Sequence, residues 1–185
     1  MEFLELVKKR YSVRKYETKK VDRAILDRCI EAARLAPSAV NSQPWHFILV
    51  DDPEKVAALA GAAATGGAIN RFARQAGAIA AVVAEKPNVI AGVGGFLKKR
   101  PYYLIDIGIA AEHFCLQAAE EGIGTCMLGW FDEKAVRQSL KIPGSKRVAL
   151  LITLGHPADP TARGTKQRKS VEKMSSYNSY GGGGD

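Results

Sequence analysis

The 185-residue sequence lacks the features that would place it in a membrane or in a secretory pathway. It has no run of about 18 or more apolar residues, the length that a membrane-spanning helix needs. Its first residues contain no apolar stretch followed by a small-residue cleavage site, the pattern of a secretory signal. We therefore predict a single globular domain in the cytoplasm, with no membrane span.

Cysteine is also scarce. The three cysteines Cys29, Cys115 and Cys126 are odd in number and far apart, with no C-x-x-C pair and no histidine at metal-ligand spacing. This pattern favours neither a disulfide framework nor a zinc site, so we predict reduced thiols. Cys126 is interpreted as a small buried packing residue rather than as a nucleophile.

Histidines and nucleotide-binding glycine motifs give no site either. His46, His113 and His156 fall in three different predicted elements, so neither a metal site nor a Ser-His-Asp triad is predicted. The glycine-rich run at 92–95 lacks the full dinucleotide fingerprint, and no G-K-S/T sequence is present. We therefore assign no catalytic acid, base, nucleophile or metal ligand.

What the chain does have is an excess of basic residues near its two ends. It carries 27 Lys and Arg against 19 Asp and Glu, a formal net charge of +8. Residues 1–23 hold eight basic and four acidic side chains, and residues 163–173 hold five basic and one acidic, while the remainder is balanced. Such an excess permits nucleic-acid binding. No recognised nucleic-acid motif accompanies it, and the basic residues do not alternate with aromatic ones, so nucleic-acid binding is kept only as an alternative.

Hydrophobic periodicity divides the chain into alternating helices and short strands. Apolar residues at helical spacing predict helices over 2–10, from Asp22 to 36, and over 53–63, 104–121 and 132–140. Short apolar runs predict buried strands over 47–50, 78–84 and 148–154, with a weaker candidate over 125–128. The alternation indicates an α/β or α+β domain over residues 1–180, followed by a flexible glycine tail at 181–185. The 104–121 helix is apolar on most sides, which is typical of a core helix or an oligomer interface.

Two stretches offer hydrogen-bond donors to an anion. Arg10-Tyr11-Ser12-Val13-Arg14 places two guanidiniums and a hydroxyl within five residues, and a phosphate or a carboxylate accepts from such donors. Lys166-Gln167-Arg168-Lys169-Ser170 is a second cluster of the same kind. Taken alone, each stretch is equally typical of a solvated basic face or a flexible tail.

Two further stretches suit a planar ligand. In residues 36–47 two prolines fix the backbone, while four side chains present donors and acceptors to a heterocycle: Ser38, Asn41, Ser42 and Gln43. In residues 122–132 three glycines allow a ligand to approach the backbone closely, where exposed amides can bond to a ring nitrogen. Ordinary turns and helix caps have the same composition, so neither stretch is decisive alone.

Together, the four stretches resemble the nitroreductase family of FMN-dependent oxidoreductases. The motifs occur in the family's order and spacing: Arg10-x-Ser12-x-Arg14, Pro37-Ser38-x-x-Asn41-x-Gln43-Pro44-Trp45-x-Phe47, Asp106-Ile107-Gly108, Gly122-Ile123-Gly124-Thr125 and a basic Lys-x-Arg at 166–168. The resemblance covers nearly the whole chain, and the loop from the proline-serine pair to the tryptophan is its most specific part. It implies an α+β, three-layer fold whose central mixed, mainly antiparallel sheet is flanked by helices.

The resemblance also implies how FMN is held. Arg10 and Ser12 match contacts to the phosphate, Arg14 matches a contact to the pyrimidine edge of the ring, and Tyr11 belongs to the same motif. Lys166 and Arg168 match a second pair of phosphate contacts, and Asn70 matches a contact to the ring, with Arg71 or Arg74 nearby. The backbone of Met127, Leu128 and Gly129 matches the stretch that lies against the ring, with an amide reaching N5. The other subunit of a homodimer is implied to supply a loop that contains Pro37, Ser38, Ala39, Asn41 and Gln43.

The function implied by the resemblance is that of an enzyme. Hydride would pass from NADH or NADPH through flavin N5 to a nitroaromatic or quinone-type acceptor by a ping-pong mechanism. The segment between Lys86 and Asp106 is shorter than in larger family members, which leaves the substrate side of the flavin less covered. Metabolite oxidation and reductive dehalogenation are alternatives on the same scaffold, and a basic nucleic-acid-binding protein or a flavin carrier without turnover is the alternative from another class.

Overall fold

A computed structural model describes residues 2–65, 69–86, 101–160 and 167–181. Within these ranges the chain forms five α-helices: α1 (Phe3–Lys9), α2 (Arg23–Arg34), α3 (Pro53–Ala63), α4 (Tyr102–Glu120) and α5 (Glu133–Ser139). Four strands accompany them: β1 (Trp45–Val50), β2 (Ala78–Ala84), β3 (Gly124–Leu128) and β4 (Arg147–Gly155). Every helix and strand predicted from the sequence is confirmed, with shifts of a few residues at the ends.

The helix boundaries follow from local chemistry. The side chains of Asp22, Asp52 and Asp132 each accept a hydrogen bond from a backbone amide in the first turn of α2, α3 and α5, at 3.0 Å in all three cases. The predicted end of α2 at residue 36 is two residues too late, because the helix stops at Arg34. Pro37 disfavours helical backbone at the residue before it, so the last turn is lost early.

The strands form one sheet in the order β1-β2-β4-β3, and all neighbouring strands are antiparallel. An isolated parallel bridge between Ser12 and Thr125 adds the N-terminal stretch outside β3. The predicted mixed, mainly antiparallel sheet is therefore confirmed, with this bridge as the parallel element among the described residues.

Helices cover both faces of the sheet. Alternate residues of a strand point to opposite faces, so Ile79 and Ala81 pack with α3 and α5, whereas Ala80 and Val82 pack with α2 and α4. The result is the three-layer α+β architecture that the resemblance implies.

Strand β1 differs from its prediction as a buried strand. It lies at one edge of the sheet, so most of its side chains are only half-buried and His46 is exposed. Phe47 nevertheless stacks on Phe114 of α4, with 5.5 Å between ring centroids. A short apolar run predicts that a strand forms, but it does not distinguish an edge from the centre of the sheet.

Helix α4 is the core helix of the second layer. Ile107, Ala110 and Phe114 are buried against the sheet, whereas Leu104 and Ile105 in its first turn are exposed. No helix in the described ranges has both the length and the apolar character needed to cross a membrane. The same ranges contain no group of His, Cys, Asp and Glu side chains arranged to hold a metal ion.

Candidate functional site

Residues 10–14, here called the basic segment, run beside β3 as an additional edge of the sheet. The backbone N–H of Val13 donates to the Thr125 carbonyl at 2.9 Å. Val13 also packs directly on Gly124, where an added Cβ would lie 2.5 Å from Val13 Cγ2. Val13 is therefore buried while Ser12 and Arg14 on either side of it are exposed, as expected for alternating side chains on an extended backbone.

Arg10 lies at the junction of α1, α4 and β3. Its side chain is only 21% exposed, and its Nε is 3.0 Å from Oε1 of Glu112 on α4. Arg10 also lines a cavity of about 150 Å³, whose walls include Tyr11, Thr125 and Pro160. A guanidinium at the wall of a small cavity is suited to bind a compact anion such as a phosphate.

Tyr11 closes one side of this cavity. Its hydroxyl lies 3.5 Å from the carbonyl oxygen of Asp159, and partial burial, with a smaller effect of the Asp159 charge, raises the pKa of the phenol. Tyr11 thus stays protonated at neutral pH, and its hydroxyl donates to the Asp159 carbonyl.

The end of β3 offers exposed backbone next to the basic segment. Met127 is 37% exposed, whereas the side chain of Leu128 is buried and can contribute only its backbone to a ligand. Gly129 has open space where a side chain would lie. This arrangement fits a flat ring lying against the backbone, which is the role the resemblance implies for residues 127–129.

Asn70 connects α3 to the turn that follows β3. It has a left-handed backbone conformation, with φ of 59°, and its side-chain amide donates to the Trp130 carbonyl at 2.9 Å and to the Ala63 carbonyl at 3.3 Å. The next residues form a short 3₁₀ turn in which the Phe72 ring lies 6.0 Å from the Arg14 guanidinium carbon. The structure thus brings Asn70, Arg14 and the end of β3 into one region.

The predicted flavin loop begins at Pro37, and side-chain hydrogen bonds hold its residues 38–43. Asp106 accepts from the Ala39 amide at 3.1 Å, and the Ser38 hydroxyl accepts from the Gln43 amide at 2.9 Å. Val40, Asn41 and Gln43 all have positive φ, between 46° and 52°. Such a conformation is a genuine outlier for valine, and strained backbone of this kind clusters at ligand-binding sites.

This loop and the basic segment lie on opposite sides of the chain. The loop precedes β1 at one edge of the sheet, and the basic segment lies beyond β3 at the other, so four strand spacings, about 19 Å in total, separate the segment from β1. On α4, Asp106 contacts the loop and Glu112 contacts Arg10 of the basic segment. These two residues are six positions apart, a rise of about 9 Å along the helix axis. One chain therefore presents two separate halves of the predicted cofactor site.

The buried thiols near the basic segment are not activated. Burial raises the pKa of Cys126, against the opposing effects of Arg14 and of a hydrogen bond with Ser12. Burial also raises the pKa of Cys115 to about 12. Both groups are protonated at neutral pH, which agrees with the interpretation of Cys126 as a packing residue.

The second predicted phosphate pair is placed only in part. Lys166 lies outside the described residues. Arg168 is exposed, and its guanidinium donates to the neighbouring Gln167 carbonyl at 3.0 Å. Joint binding of a phosphate by Lys166 and Arg168 therefore stays a prediction. Arg71 and Arg74 are exposed on the 3₁₀ turn after Asn70.

Sequence reasoning missed three side chains that organise this region: Glu112, Phe72 and the clamping role of Asp106. Glu112 and Phe72 meet residues far away in the chain, and no local spacing points to such contacts. Asp106 did carry a signal, because it is a carboxylate in a run of apolar residues. Its Oδ2 atom is buried and has no hydrogen-bond partner in the part of the chain that the structure describes.

The donor set fits FMN. Arg10 and Ser12 supply a charged and a neutral donor for a phosphate, Arg14 supplies a cation at the ring region, and the end of β3 supplies open backbone. Charged donors of this kind are also those that stabilise negative charge on a reduced flavin.

Comparison with known proteins identifies the family. The model of the Nitroreductase family matches residues 7–156. An Archaeoglobus fulgidus protein provisionally named NADH dehydrogenase/NAD(P)H nitroreductase is 33% identical over 164 residues, which cover 85% of this chain and 87% of that protein.

A solved structure and a second relative extend the comparison. The structure of an FMN-dependent nitroreductase from Clostridium difficile R20291 is 28% identical, with a TM-score of 0.76 and coverage of 96% of this chain and 99% of that one. An iodotyrosine deiodinase from Thermotoga neapolitana is 26% identical over 84% of this chain and 89% of its own length. The chain therefore belongs to the nitroreductase family of FMN-dependent oxidoreductases.

Proposed function

We propose that the protein acts as a homodimer with FMN bound at the subunit interface. Each FMN would lie between the basic segment and β3 of one protomer and the 38–43 loop of its partner. The observation that carries the proposal is the separation of these two halves at opposite edges of the sheet within one chain.

The surface available for dimerisation supports this arrangement. Phe3 and Leu4 on α1 are 65% and 68% exposed, and α1 packs beside α4, whose first turn exposes Leu104 and Ile105. Large apolar side chains exposed on neighbouring helices are typical of a surface that is covered by another protein. The Asp106 clamp of the loop belongs to the same end of α4.

In the proposed site the residues have distinct roles. Arg10 and Ser12 bind the phosphate together with Lys166 and Arg168, and Arg14 lies at the pyrimidine edge of the ring. Asn70 and the backbone of residues 127–129 contact the ring from the same protomer. The partner's loop contributes Pro37, Ser38, Ala39, Asn41 and Gln43.

The proposed reaction is hydride transfer from NADH or NADPH to a nitroaromatic or quinone-type acceptor by a ping-pong mechanism. When bound, FMN supplies the two-electron chemistry at its N5 position. The chain's own residues bind and orient: Arg14 places positive charge near the ring, and the open end of β3 leaves room for substrates to enter in turn. No acid or base of the protein is assigned to the chemical step.

Reductive dehalogenation is the second candidate function. Its support is the similarity to the Thermotoga neapolitana protein named iodotyrosine deiodinase. The two candidates differ in the reductant and in the acceptor. Stopped-flow mixing of the FMN-loaded protein with NADH and with NADPH, followed by menadione, nitrofurazone or iodotyrosine, distinguishes them.

A nitroreductase-type enzyme bleaches its flavin rapidly with at least one nicotinamide and is reoxidised by menadione or nitrofurazone. Slow bleaching by both nicotinamides, combined with reoxidation by iodotyrosine, supports the dehalogenase instead. Purified protein that is colourless and takes up no FMN at micromolar concentration contradicts both.

The composite site has its own test, which uses two variants that damage different halves. Arg10→Ala and Gln43→Ala homodimers are each expected to bind FMN weakly. Co-expression of the two variants creates heterodimers in which one site has both wild-type halves, so tight binding returns for a fraction of the sites. If all the FMN contacts come from one chain, co-expression restores nothing.

The basic ends of the chain are better explained by FMN and internal pairing than by nucleic acid. Among the N-terminal bases, Lys8 pairs with Glu5, Arg10 with Glu112 and Arg23 with Asp51. A cytoplasmic location is likewise part of the proposal, and its support is three buried thiols without a disulfide. The test is a gel-shift assay of the FMN-loaded protein with DNA or RNA. A salt-dependent shift that Arg168→Glu abolishes without loss of FMN would show that the protein does bind nucleic acid.

A further inference from the structure

Tyr16 is a buried polar residue to which the proposed FMN site gives no role. It follows the basic segment by two residues and is only 5% exposed. Its ring packs on Gly155 at the end of β4, where an added Cβ would lie 2.8 Å from Tyr16 Cδ1. Burial raises the pKa of the phenol well above its usual value, so the hydroxyl keeps its hydrogen at neutral pH. A buried hydroxyl is costly unless it forms hydrogen bonds, so its partners indicate what it holds in place.

The Tyr16 hydroxyl holds the peptide group between Val13 and Arg14. It donates to the Val13 carbonyl at 2.9 Å. The N–H of Val13 donates to the Thr125 carbonyl, also at 2.9 Å, so both backbone polar groups of Val13 are bonded. Because a peptide group is planar, the Val13 carbonyl and the Arg14 Cα belong to one rigid unit. The Tyr16 hydroxyl therefore helps to fix the direction in which the Arg14 side chain leaves the basic segment.

Tyr16 also supports the aromatic ring that the Arg14 guanidinium contacts. The ring centroids of Tyr16 and Phe72 are 6.4 Å apart, and the guanidinium carbon of Arg14 lies 6.0 Å from the Phe72 centroid. The backbone N–H of Tyr16 donates to Oε1 of Gln75 at 3.2 Å, which joins Tyr16 to the 3₁₀ turn that carries Phe72. Arg14 itself is exposed, so these contacts restrict a long side chain that solvent would leave free to move.

We propose that Tyr16 is a positioning residue that holds Arg14 at the pyrimidine edge of FMN. The inference rests on the proposed site, in which Arg14 contacts the ring. Tyr16 is buried beneath the basic segment, so it acts through Arg14 rather than by contact with the cofactor. Its contribution is to limit the freedom of the guanidinium before the flavin binds. A positive charge held at that edge also stabilises the negative charge of the reduced flavin.

Thr153 provides a matched control within the same buried cluster. Its hydroxyl is 2.8 Å from the Tyr16 hydroxyl and 3.3 Å from the Cys126 carbonyl. Thr153→Val removes this hydroxyl and leaves the hydrogen bond from Tyr16 to Val13, whereas Tyr16→Phe removes that bond. Each variant loses a buried hydrogen bond, so both are expected to unfold at a lower urea concentration than the wild type. Only Tyr16→Phe is expected to change flavin binding.

The experiment measures the affinity of the apo-protein for FMN and for riboflavin by quenching of flavin fluorescence, together with the midpoint potential of bound FMN. Tyr16→Phe is expected to weaken the binding of both flavins about threefold, since Arg14 is proposed to lie at the ring and not at the phosphate. The midpoint potential should become more negative by about 15 mV, which corresponds to a further loss of about threefold in affinity for reduced FMN. Thr153→Val should leave both affinities and the potential unchanged.

A double substitution tests whether Tyr16 acts through Arg14. In the Arg14→Ala background, Tyr16→Phe is expected to cause no further loss of flavin affinity, because the side chain that it positions is gone. A further threefold loss in that background overturns the positioning role. Unchanged flavin binding in Tyr16→Phe overturns it as well, and so does an equal loss in Thr153→Val.

Two more variants keep the outcomes distinct. If Tyr16→Phe does not fold, Gln75→Ala, which removes the exposed acceptor of the Tyr16 amide, must weaken both flavins and must do so only when Arg14 is present. Arg14→Ala separates the two levels of the argument. If it binds both flavins as the wild type does, the proposed ring contact of Arg14 fails. If it weakens them while Tyr16→Phe does not, only the inference about Tyr16 fails.

Discussion

The two regions proposed to face FMN, the basic segment and the 38–43 loop, are held in place by different means. The basic segment is joined to β3 by a backbone hydrogen bond and by close packing of Val13 on Gly124. The loop depends on side chains, above all on Asp106 of α4. A backbone hydrogen bond to a strand is retained in most substituted variants, whereas a side-chain hydrogen bond is lost when that side chain is removed.

The two regions also differ in their backbone conformations. The basic segment is extended, and the loop contains three non-glycine residues with positive φ. Strained backbone persists only where its surroundings hold it, so the loop is expected to relax before the domain unfolds. Substitutions at the basic segment's support should therefore change the stability of the domain, and those at the loop's support should change ligand binding.

The largest expected effect is at the contact between the basic segment and β3. Gly124→Ala places a Cβ against Val13 and is expected to lower the free energy of unfolding by about 2 kcal/mol, measured by urea denaturation. Gly61→Ala in α3 is the control, because nothing lies within 4 Å of its added Cβ. It should raise the free energy of unfolding by about 0.5 to 1 kcal/mol. Equal stability of Gly124→Ala and the wild type contradicts the packing argument.

The next effect is on the loop side. Asp106→Ala removes the acceptor for the Ala39 amide and is expected to weaken the binding of FMN and of riboflavin about tenfold each, the equivalent of about 1.4 kcal/mol. Both flavins are affected because the loop is proposed to contact the ring. Asp106→Asn retains an oxygen in the same place and should lose much less. A loss confined to FMN would assign the loop to the phosphate rather than to the ring.

The smallest effect tests the contact between Arg14 and Phe72. Phe72→Leu removes the aromatic face 6.0 Å from the guanidinium, and a partly exposed contact of this kind contributes about 0.5 to 1 kcal/mol. Both flavins should then bind about two- to fivefold more weakly, since Arg14 is proposed to lie at the ring. Phe131→Leu is the control, because Phe131 packs on the same core cluster as Phe72. Equal effects of the two variants mean that packing alone is responsible.

Much of the fold is predictable from the sequence because its signals are local. Three helices are indicated by the aspartates that cap their N-termini, Asp22, Asp52 and Asp132. The apolar run over 78–84 coincides with β2. The five-residue strand β3 is a weaker prediction because it is short and begins with glycine. The edge position of β1 has no local signal, since it results from the order of strands in the sheet.

The sequence predicts which segments form the candidate site, but it does not predict how those segments are placed relative to one another. Motif spacing identifies the basic segment and the 38–43 loop, but their separation at opposite sheet edges is a property of the whole fold. The left-handed Val40 has no signal at all, because valine is among the residues that least favour this conformation. Glu112 meets Arg10 across more than a hundred residues, beyond any sequence spacing.

Helix α4 reaches the supports of both regions, through Asp106 near its start and Glu112 about 9 Å further along. In the proposed homodimer, Asp106 holds the loop that is given to the partner's FMN, and Glu112 forms an ion pair with the arginine that binds the FMN of its own chain. A substitution that shifts α4 is therefore expected to disturb the surroundings of both cofactors of the dimer at once.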